Sequence, residues 1–214
     1  MTIQTEEKKE TTYYITPVGR LSYAYVFKPR KKENESDRDV YDCTLILESP
    51  KNMAPDELER YKRLKQLVDA TKEKKWPNSK TLVTSPFRHG MSKPIILDGY
   101  NPPKPLPLEN NPEYIDKIVI KGVSYGRKPK VKDEFNQPLL DPDQLYSGCY
   151  GRLWLTAFAY DKPSRGISFG LQGVMKVTDG EPLGGGGGND EAAFKSVAKN
   201  PSDDFKTVTD DVDW

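Results

Sequence analysis

The chain has 214 residues, a formal net charge of +1 and a mean hydropathy of −0.77, and 30% of its residues are charged. No apolar run approaches the ~20 residues of a membrane-spanning helix, and the polar start of the chain lacks the apolar segment of a signal peptide, so we expect a cytoplasmic protein that does not bind membranes. Two cysteines cannot form a disulfide framework, and with the single His89 they match no zinc-site spacing, so we expect neither a metal nor a cofactor.

Alternation of apolar and polar side chains predicts five β-strands. They cover residues 20–27, 41–48, 117–125, 149–160 and 166–177. The last two flank a short, turn-rich segment and should form an antiparallel hairpin. Between the second and third strands, a proline in the first turn, acids next to it and lysines before Pro77 predict one helix over residues 55–75. These elements favour a mainly β fold, a small five-stranded barrel with one long helix and extended loops.

Five consecutive glycines at 184–188 end the predicted folded body near Leu183. Residues 189–214 contain seven acids against three lysines, so they carry a net charge of −4 and the preceding residues carry +5. We expect three parts: a disordered arm over 1–12, a folded domain over 13–183, and a flexible linker with a disordered acidic tail over 184–214. A basic body joined to an acidic tail indicates an anionic partner and a segment that competes for it.

The strand over 149–160 has two unlike faces. Its odd positions are small or aliphatic and should face the core, whereas its even positions carry aromatic rings and an arginine. Single-stranded nucleic acid stacks on aromatic rings flanked by cations, so we predict that Tyr150, Arg152 and Trp154 bind it. The alternative is that the helix or a loop covers this face while Arg152 reaches solvent, and we favour this alternative for Phe158.

Alternation in the partner strand, residues 166–177, also predicts one apolar face. The residues that share this face are Ile167, Phe169, Leu171, Met175 and Val177. We expect Phe169 to lie in the core rather than on a binding surface.

Basic residues cluster in the segment 121–132, which has five cations, one tyrosine and no acid. The alternative is that this segment is a solvated loop. The DNA-binding residues predicted here are Lys121, Tyr125, Arg127, Lys128, Lys130 and Lys132. A second basic segment, 60–93, adds Trp76 and Arg88 to the predicted set, although a solvated helix surface would explain part of its charge. The cluster around Arg30 is given the least weight, because acids follow it at once and nearly cancel its charge.

Several short segments of the body resemble the single-stranded DNA-binding proteins of tailed phages. They are residues 146–150 (Tyr-Ser-Gly-Cys-Tyr), 166–168 (Gly-Ile-Ser), 170–174 (Gly-Leu-Gln-Gly-Val) and 179–185 (Asp-Gly-Glu-Pro-Leu-Gly-Gly). The basic segment 127–133 is similar to one that precedes the first motif in that family. The resemblance implies an oligonucleotide/oligosaccharide-binding (OB) barrel, in agreement with the five predicted strands. It also implies a protein that coats exposed phage DNA during replication or recombination in the infected host cell.

The end of the chain resembles the acidic tail tips of bacterial and phage single-strand binders. The matching residues are Asp210, Asp211, Asp213 and Trp214, and the tryptophan stands where phenylalanine is usual. The resemblance implies that this tail recruits a replication polymerase or helicase. Duplex DNA would bind the basic body only when the tail is displaced.

The sequence therefore predicts a non-catalytic single-stranded DNA-binding protein with little sequence preference. One alternative is a recombination mediator that anneals strands or also binds duplex DNA through the same basic surface. The alternative from another class is a nuclease or other enzyme with carboxylate-bound magnesium. A histidine-dependent mechanism would have to use His89, which lies in a loop-like segment.

Overall fold

The computed structural model describes residues 13–30, 38–103, 106–109 and 111–183. The predicted arm over 1–12 and the linker and acidic tail over 184–214 lie outside the described residues, so these domain boundaries stay predictions. Within the described residues the chain forms one α-helix and eight strands: β1 (Tyr13–Ile15), β2 (Gly19–Arg30), β3 (Val40–Leu47), α1 (Pro55–Lys75), β4 (Arg88–His89), β5 (Ile118–Tyr125), β6 (Lys130–Lys132), β7 (Tyr150–Tyr160) and β8 (Gly166–Thr178).

The five long strands β2, β3, β5, β7 and β8 are the five that alternation predicted, and the single predicted helix is α1. The mainly β fold with one helix is therefore confirmed. The sequence analysis missed β1, β4 and β6, because a strand of two or three residues is too short to show a period.

The five long strands pair in a closed circuit. β2 pairs with β3, β3 with β5, β7 with β8 and β7 with β2, all antiparallel, whereas β5 and β8 are parallel. Two residue pairs join β2 to β7, and two join β5 to β8. The barrel is thus partly open, as OB barrels are, rather than evenly closed along its strands.

Alternate side chains of these strands fill the barrel. Leu21 of β2, Leu45 of β3, Ile120 of β5, Leu153 of β7 and Phe169 of β8 are all buried in one hydrophobic core. The predicted core face of β7 and the predicted core position of Phe169 are confirmed. The even positions of β7 consequently lie on the outside of the barrel.

A β-bulge in β8 changes which residues face the core. Trp154 of β7 lies opposite Gly173, but the next residue, Leu155, lies opposite Leu171, so Gln172 is an extra residue in β8. Beyond the bulge Val174 is buried in the core. Met175 lies on the outer face of β8, and the prediction that Met175 shares the core face of Phe169 is wrong. Alternation extrapolated along the whole strand cannot anticipate a change of phase.

Helix α1 lies alongside β7 and packs Tyr61, Leu64 and Val68 into the core. Both of its ends are tied to β7 or to the turn that follows it. Near the start of the helix, Glu57 pairs with Arg152 of β7. At its end, the Lys75 ammonium lies 3.2 Å from the Asp161 carboxylate. No helix in the described part of the chain is long and apolar enough to span a membrane.

His89 is buried, and it pairs with Ile118 where β4 meets β5. Burial, together with the nearby charge of Lys65, lowers the pKa of His89 to about 4. The imidazole is therefore neutral in the folded protein, whereas in the unfolded chain it takes up a proton below about pH 6.5.

Folding stability should consequently fall as the pH is lowered through the range between these two pKa values. We expect His89 to account for about 2 kcal/mol of the stability lost between pH 7.5 and pH 5. Urea unfolding of the wild type and of His89→Gln at both pH values measures this share, because the variant should lose correspondingly less. An equal loss in both proteins would contradict the assignment.

Candidate nucleic-acid interface

Two depressions with cations and aromatic rings lie on the outer face of the barrel. The first, which we call the β3–β5 groove, has a volume of about 430 Å³, and its lining residues include Tyr23, Arg30, Thr44, Arg88, Lys121, Tyr160 and Ser168. The second, which we call the Trp154 pocket, has a volume of about 320 Å³ and is lined by Ile15, Lys130, Lys132, Asn136, Arg152, Trp154, Gly173, Val174 and Met175.

The β3–β5 groove forms on the outer side of two neighbouring strands. Thr44 of β3 lies opposite Lys121 of β5, and both line the groove. The Lys121 ammonium lies 2.8 Å from Asp42 Oδ2, and the Arg30 guanidinium lies 3.3 Å from the same oxygen. The groove therefore brings together two predicted residues, Lys121 and Arg88, with Arg30, which the sequence analysis had discounted.

Two of the three tyrosines that line this groove belong to strands. Tyr23 lies at a register shift in β2 and has a φ of 48°, which is rare for a bulky residue. Its hydroxyl donates a hydrogen bond to Asn111 Oδ1 at 3.3 Å. The other, Tyr160, is the last residue of β7. Sequence reasoning placed Tyr160 on the outer face of its strand but singled out neither tyrosine, because a bulge and a strand end leave no periodic signal.

The Trp154 pocket has an aromatic wall and a basic rim. The Trp154 ring centroid lies 5.3 Å from that of Tyr13, and the Lys130 ammonium lies 5.9 Å from the Trp154 ring. Gly173 lies opposite both Trp154 and Lys130 in the sheet. A Cβ atom at Gly173 would come within 2.8 Å of the Lys130 carbonyl oxygen and 3.3 Å of Trp154 Cε3, so only glycine lets these neighbours approach so closely.

Arg152 lines the same pocket, and its guanidinium makes three hydrogen bonds within the protein. It donates to both carboxylate oxygens of Glu57, at 2.6 and 3.0 Å, and to the Thr16 carbonyl at 3.0 Å. Both side chains of the pair are 18% exposed. We therefore propose that Arg152 attaches β7 to the start of α1 rather than contacting a phosphate.

Trp76 does not lie on either surface, which corrects the prediction that it stacks on bases. The side chain is 8% exposed and belongs to the core. Its indole N–H donates to Asp161 Oδ1 at 3.1 Å. A signal for this placement was present, because Trp76 continues at helical spacing the apolar stripe of Leu64 and Val68.

The other predicted residues lie around the two depressions. Arg127 and Lys128 lie between β5 and β6, and the Lys128 ammonium lies 5.6 Å from the Phe27 ring. The exposed Tyr125 and Tyr150 line neither depression. The last of the predicted cations, Lys132, lines the Trp154 pocket, and its ammonium donates a hydrogen bond to Asn136 Oδ1 at 2.5 Å.

The outer face of β7 connects the groove to the pocket. Tyr160 lines the groove, and Trp154, six residues earlier, lines the pocket, which is about 20 Å away along the strand. Phe158 lies between them and is 41% exposed, so the expectation that it would be covered is wrong. The two depressions therefore lie on one continuous face.

Comparison with known families identifies one match over most of the chain. The sequence model for the single-stranded DNA-binding protein of Enterobacter phage Enc34 matches residues 12–206. Among curated proteins, "putative protein p50" of Acyrthosiphon pisum secondary endosymbiont phage 1 is 38% identical over 61 residues. That segment is 28% of this chain and spans 33% of the relative's own length.

Two solved phage proteins share the fold. The single-stranded DNA-binding protein from bacteriophage Enc34, in complex with single-stranded DNA, has a TM-score of 0.60 and 19% identity, over 80% of this chain and 89% of that one. The single-stranded DNA-binding protein gp2.5 of bacteriophage T7 has a TM-score of 0.50 and 18% identity, over 89% of this chain and 97% of that one. The likeness in fold agrees with the OB-type strand pairing described above.

Proposed function

The chain belongs to the family of phage single-stranded DNA-binding proteins represented by that of Enterobacter phage Enc34, and from this premise we propose that it coats exposed single-stranded phage DNA. In this proposal the protein has no catalytic activity and little sequence preference, because stacking and phosphate contacts carry little information about the bases. Its role would lie in replication or recombination in the infected host cell.

The observation that carries this proposal is the continuous outer face from the β3–β5 groove to the Trp154 pocket. OB barrels bind oligonucleotides on the face formed by their second and third strands, which here are β3 and β5. Cations at both ends of the face would contact phosphates, and aromatic rings along it would stack on bases. The proposed contacts are Tyr23, Arg30, Arg88, Lys121 and Tyr160 at the groove, Lys130, Lys132 and Trp154 at the pocket, and Tyr125, Arg127, Lys128 and Tyr150 beside them.

Titration with oligonucleotides tests the proposal directly. The protein should bind oligo(dT) and a mixed-sequence single strand with similar affinity, and duplex DNA more weakly. Absence of single-strand binding would refute it. Faster annealing of complementary strands would instead favour the recombination mediator.

The nuclease alternative has its own assay. Within the described ranges, no three His, Cys, Asp or Glu side chains are grouped so that they could hold a metal ion. Labelled DNA incubated with the protein and Mg²⁺ should stay intact. Cleavage that is lost on adding a chelator would establish the nuclease instead.

We propose further that the acidic tail recruits a replication polymerase or helicase and competes with DNA for the basic face. The last twelve residues contain five aspartates against one lysine and follow a glycine linker. A tethered segment acts at an effective concentration that can reach the millimolar range, so weak attraction is enough for competition. Duplex DNA would gain access when the tail is displaced.

Deletion of residues 203–214 should tighten binding of single-stranded DNA and reduce discrimination against duplex DNA. The effect should be largest at low salt, where charges are screened least. Trp214→Ala is the matched control, because it removes the aromatic tip and no charge: it should impair recruitment but leave DNA affinity nearly unchanged. Titration of the three proteins with oligo(dT) at two salt concentrations measures this, and equal affinities at low salt would leave the tail only a recruiting role.

A further inference from the structure

A buried acid lies beneath two cations of the β3–β5 groove. Asp42 is 1% exposed and sits on the outer face of β3, opposite Tyr25 of β2 and Val123 of β5. A carboxylate on a surface that would bind a polyanion opposes binding through simple charge repulsion, and burying it costs free energy unless it is paired. Its presence at this position therefore needs a reason.

Its partners are two cations from the two neighbouring strands. Oδ2 of Asp42 lies 2.8 Å from the ammonium of Lys121 and 3.3 Å from the guanidinium of Arg30. Both cationic side chains line the groove and are about 40% exposed, whereas Asp42 does not line it. The acid thus lies beneath the two cations and leaves both accessible.

This arrangement fixes the spacing of the two cations. Because both nitrogens lie within 3.3 Å of one oxygen, they are no more than about 6 Å apart. Two oxygens of one phosphodiester can reach nitrogens at this spacing through charge-assisted hydrogen bonds. Without an anchor, the two long side chains would sample many rotamers, and ordering them on a phosphate would cost conformational entropy.

We propose that Asp42 is a positioning residue that holds Arg30 and Lys121 together as a binding site for one phosphodiester group of single-stranded DNA. The proposal rests on the proposed function and adds to it a defined phosphate site. Asp42 itself touches no DNA. Its contribution is to supply two cations already placed for the same phosphate.

The proposal predicts an effect opposite to that of simple charge repulsion. Asp42→Asn removes one negative charge from beneath the groove, so general electrostatics predicts tighter binding. Loss of the anchor predicts weaker binding. We expect a decrease of about tenfold, which corresponds to the loss of one hydrogen bond between a cation and the charged phosphate. The slope of log affinity against log salt should fall by about 0.7 if one phosphate contact is lost.

The experiment is a titration of the full chain with oligo(dT) at several salt concentrations. Glu113→Gln is the matched control. It also removes one acid near the groove, next to the lining residue Tyr114, but Glu113 does not pair with Arg30 or Lys121. It should leave binding unchanged or tighten it slightly. Thermal unfolding of each variant checks that the fold is retained, and Asp42→Glu, which keeps the charge but displaces the carboxylate, should also weaken binding.

A double-variant comparison separates positioning from any other role of the acid. In a protein that carries Arg30→Gln and Lys121→Gln, adding Asp42→Asn should no longer weaken binding. Tighter or unchanged binding by Asp42→Asn in the otherwise native protein would overturn the inference while leaving the DNA-binding function in place. A wild-type protein that binds no oligo(dT) would overturn the proposed function itself.

Discussion

Replacing Trp154 with alanine is expected to weaken binding of oligo(dT) by about 1–3 kcal/mol, or roughly 5- to 150-fold. The ring is held by Tyr13 on one side, with Lys130 beside it, so it can receive a base without first being ordered. The Lys130 ammonium lies where it could also contact the phosphate of the stacked nucleotide. Loss of the ring would therefore remove the stacking surface that the pocket supplies.

Equilibrium titration measures this effect, and Trp154→Phe is the matched control because it keeps a smaller aromatic surface. Tryptophan fluorescence gives a second readout. A protein truncated after residue 202 lacks Trp214, and its Trp76 is buried, so Trp154 is the tryptophan that DNA can reach. Quenching by oligo(dT) should then come from Trp154. Unchanged affinity in Trp154→Ala would place the DNA on the β3–β5 groove without the pocket.

Replacing Arg152 with alanine is expected to lower the free energy of unfolding by about 3 kcal/mol, near the lower end of the range for breaking a buried ion pair. The substitution would leave the Glu57 carboxylate with the Val18 N–H as its remaining hydrogen-bond donor among the described residues. The start of α1 would lose its main attachment to β7. The salt dependence of DNA binding should not change, because the Arg152 charge is already neutralised by Glu57.

Urea unfolding of Arg152→Ala, Glu57→Ala and the double variant measures this pair. The double variant should lose less stability than the sum of the two single variants, since each single change removes the same interaction. A loss of DNA affinity in Arg152→Ala without loss of stability would contradict the structural role. Arg152 would then return to the set of DNA contacts.

Sequence alone could predict the long elements because their signals are local. The 21-residue helix has its own start and stop residues, and each long strand alternates over several residue pairs. The partner of Arg152 could not be found in this way, since Glu57 is 95 residues away and on another element. Lys130 and Lys132 could be predicted as DNA-binding residues from their basic segment. Their position beside Trp154 could not, because the parallel pairing of β6 with β8 that brings Lys130 there leaves no signal in the nearby sequence.

The β3–β5 groove shows a different limit of sequence reasoning. Arg30 was given little weight because acids follow it in the chain, and charges were averaged over neighbours in sequence. The fold instead places Arg30 beside Lys121 of β5, with Asp42 of β3 as the acid that pairs with both. A charge count along the chain cannot separate acids that cancel a cation from an acid that holds it in place.

The extra residue Gln172 lets the length of β8 vary without moving the Trp154 pocket. Because Gln172 and Gly173 together oppose Trp154, deletion of Gln172 would give a regular ladder in which Gly173 still lies opposite Trp154, Val174 still points inward and Met175 still points outward. The glycine that gives Trp154 its close neighbours would stay in the pocket. A related chain that is one residue shorter in β8 can therefore form the same pocket, and the presence of the pocket in a relative should be judged from strand register rather than from strand length.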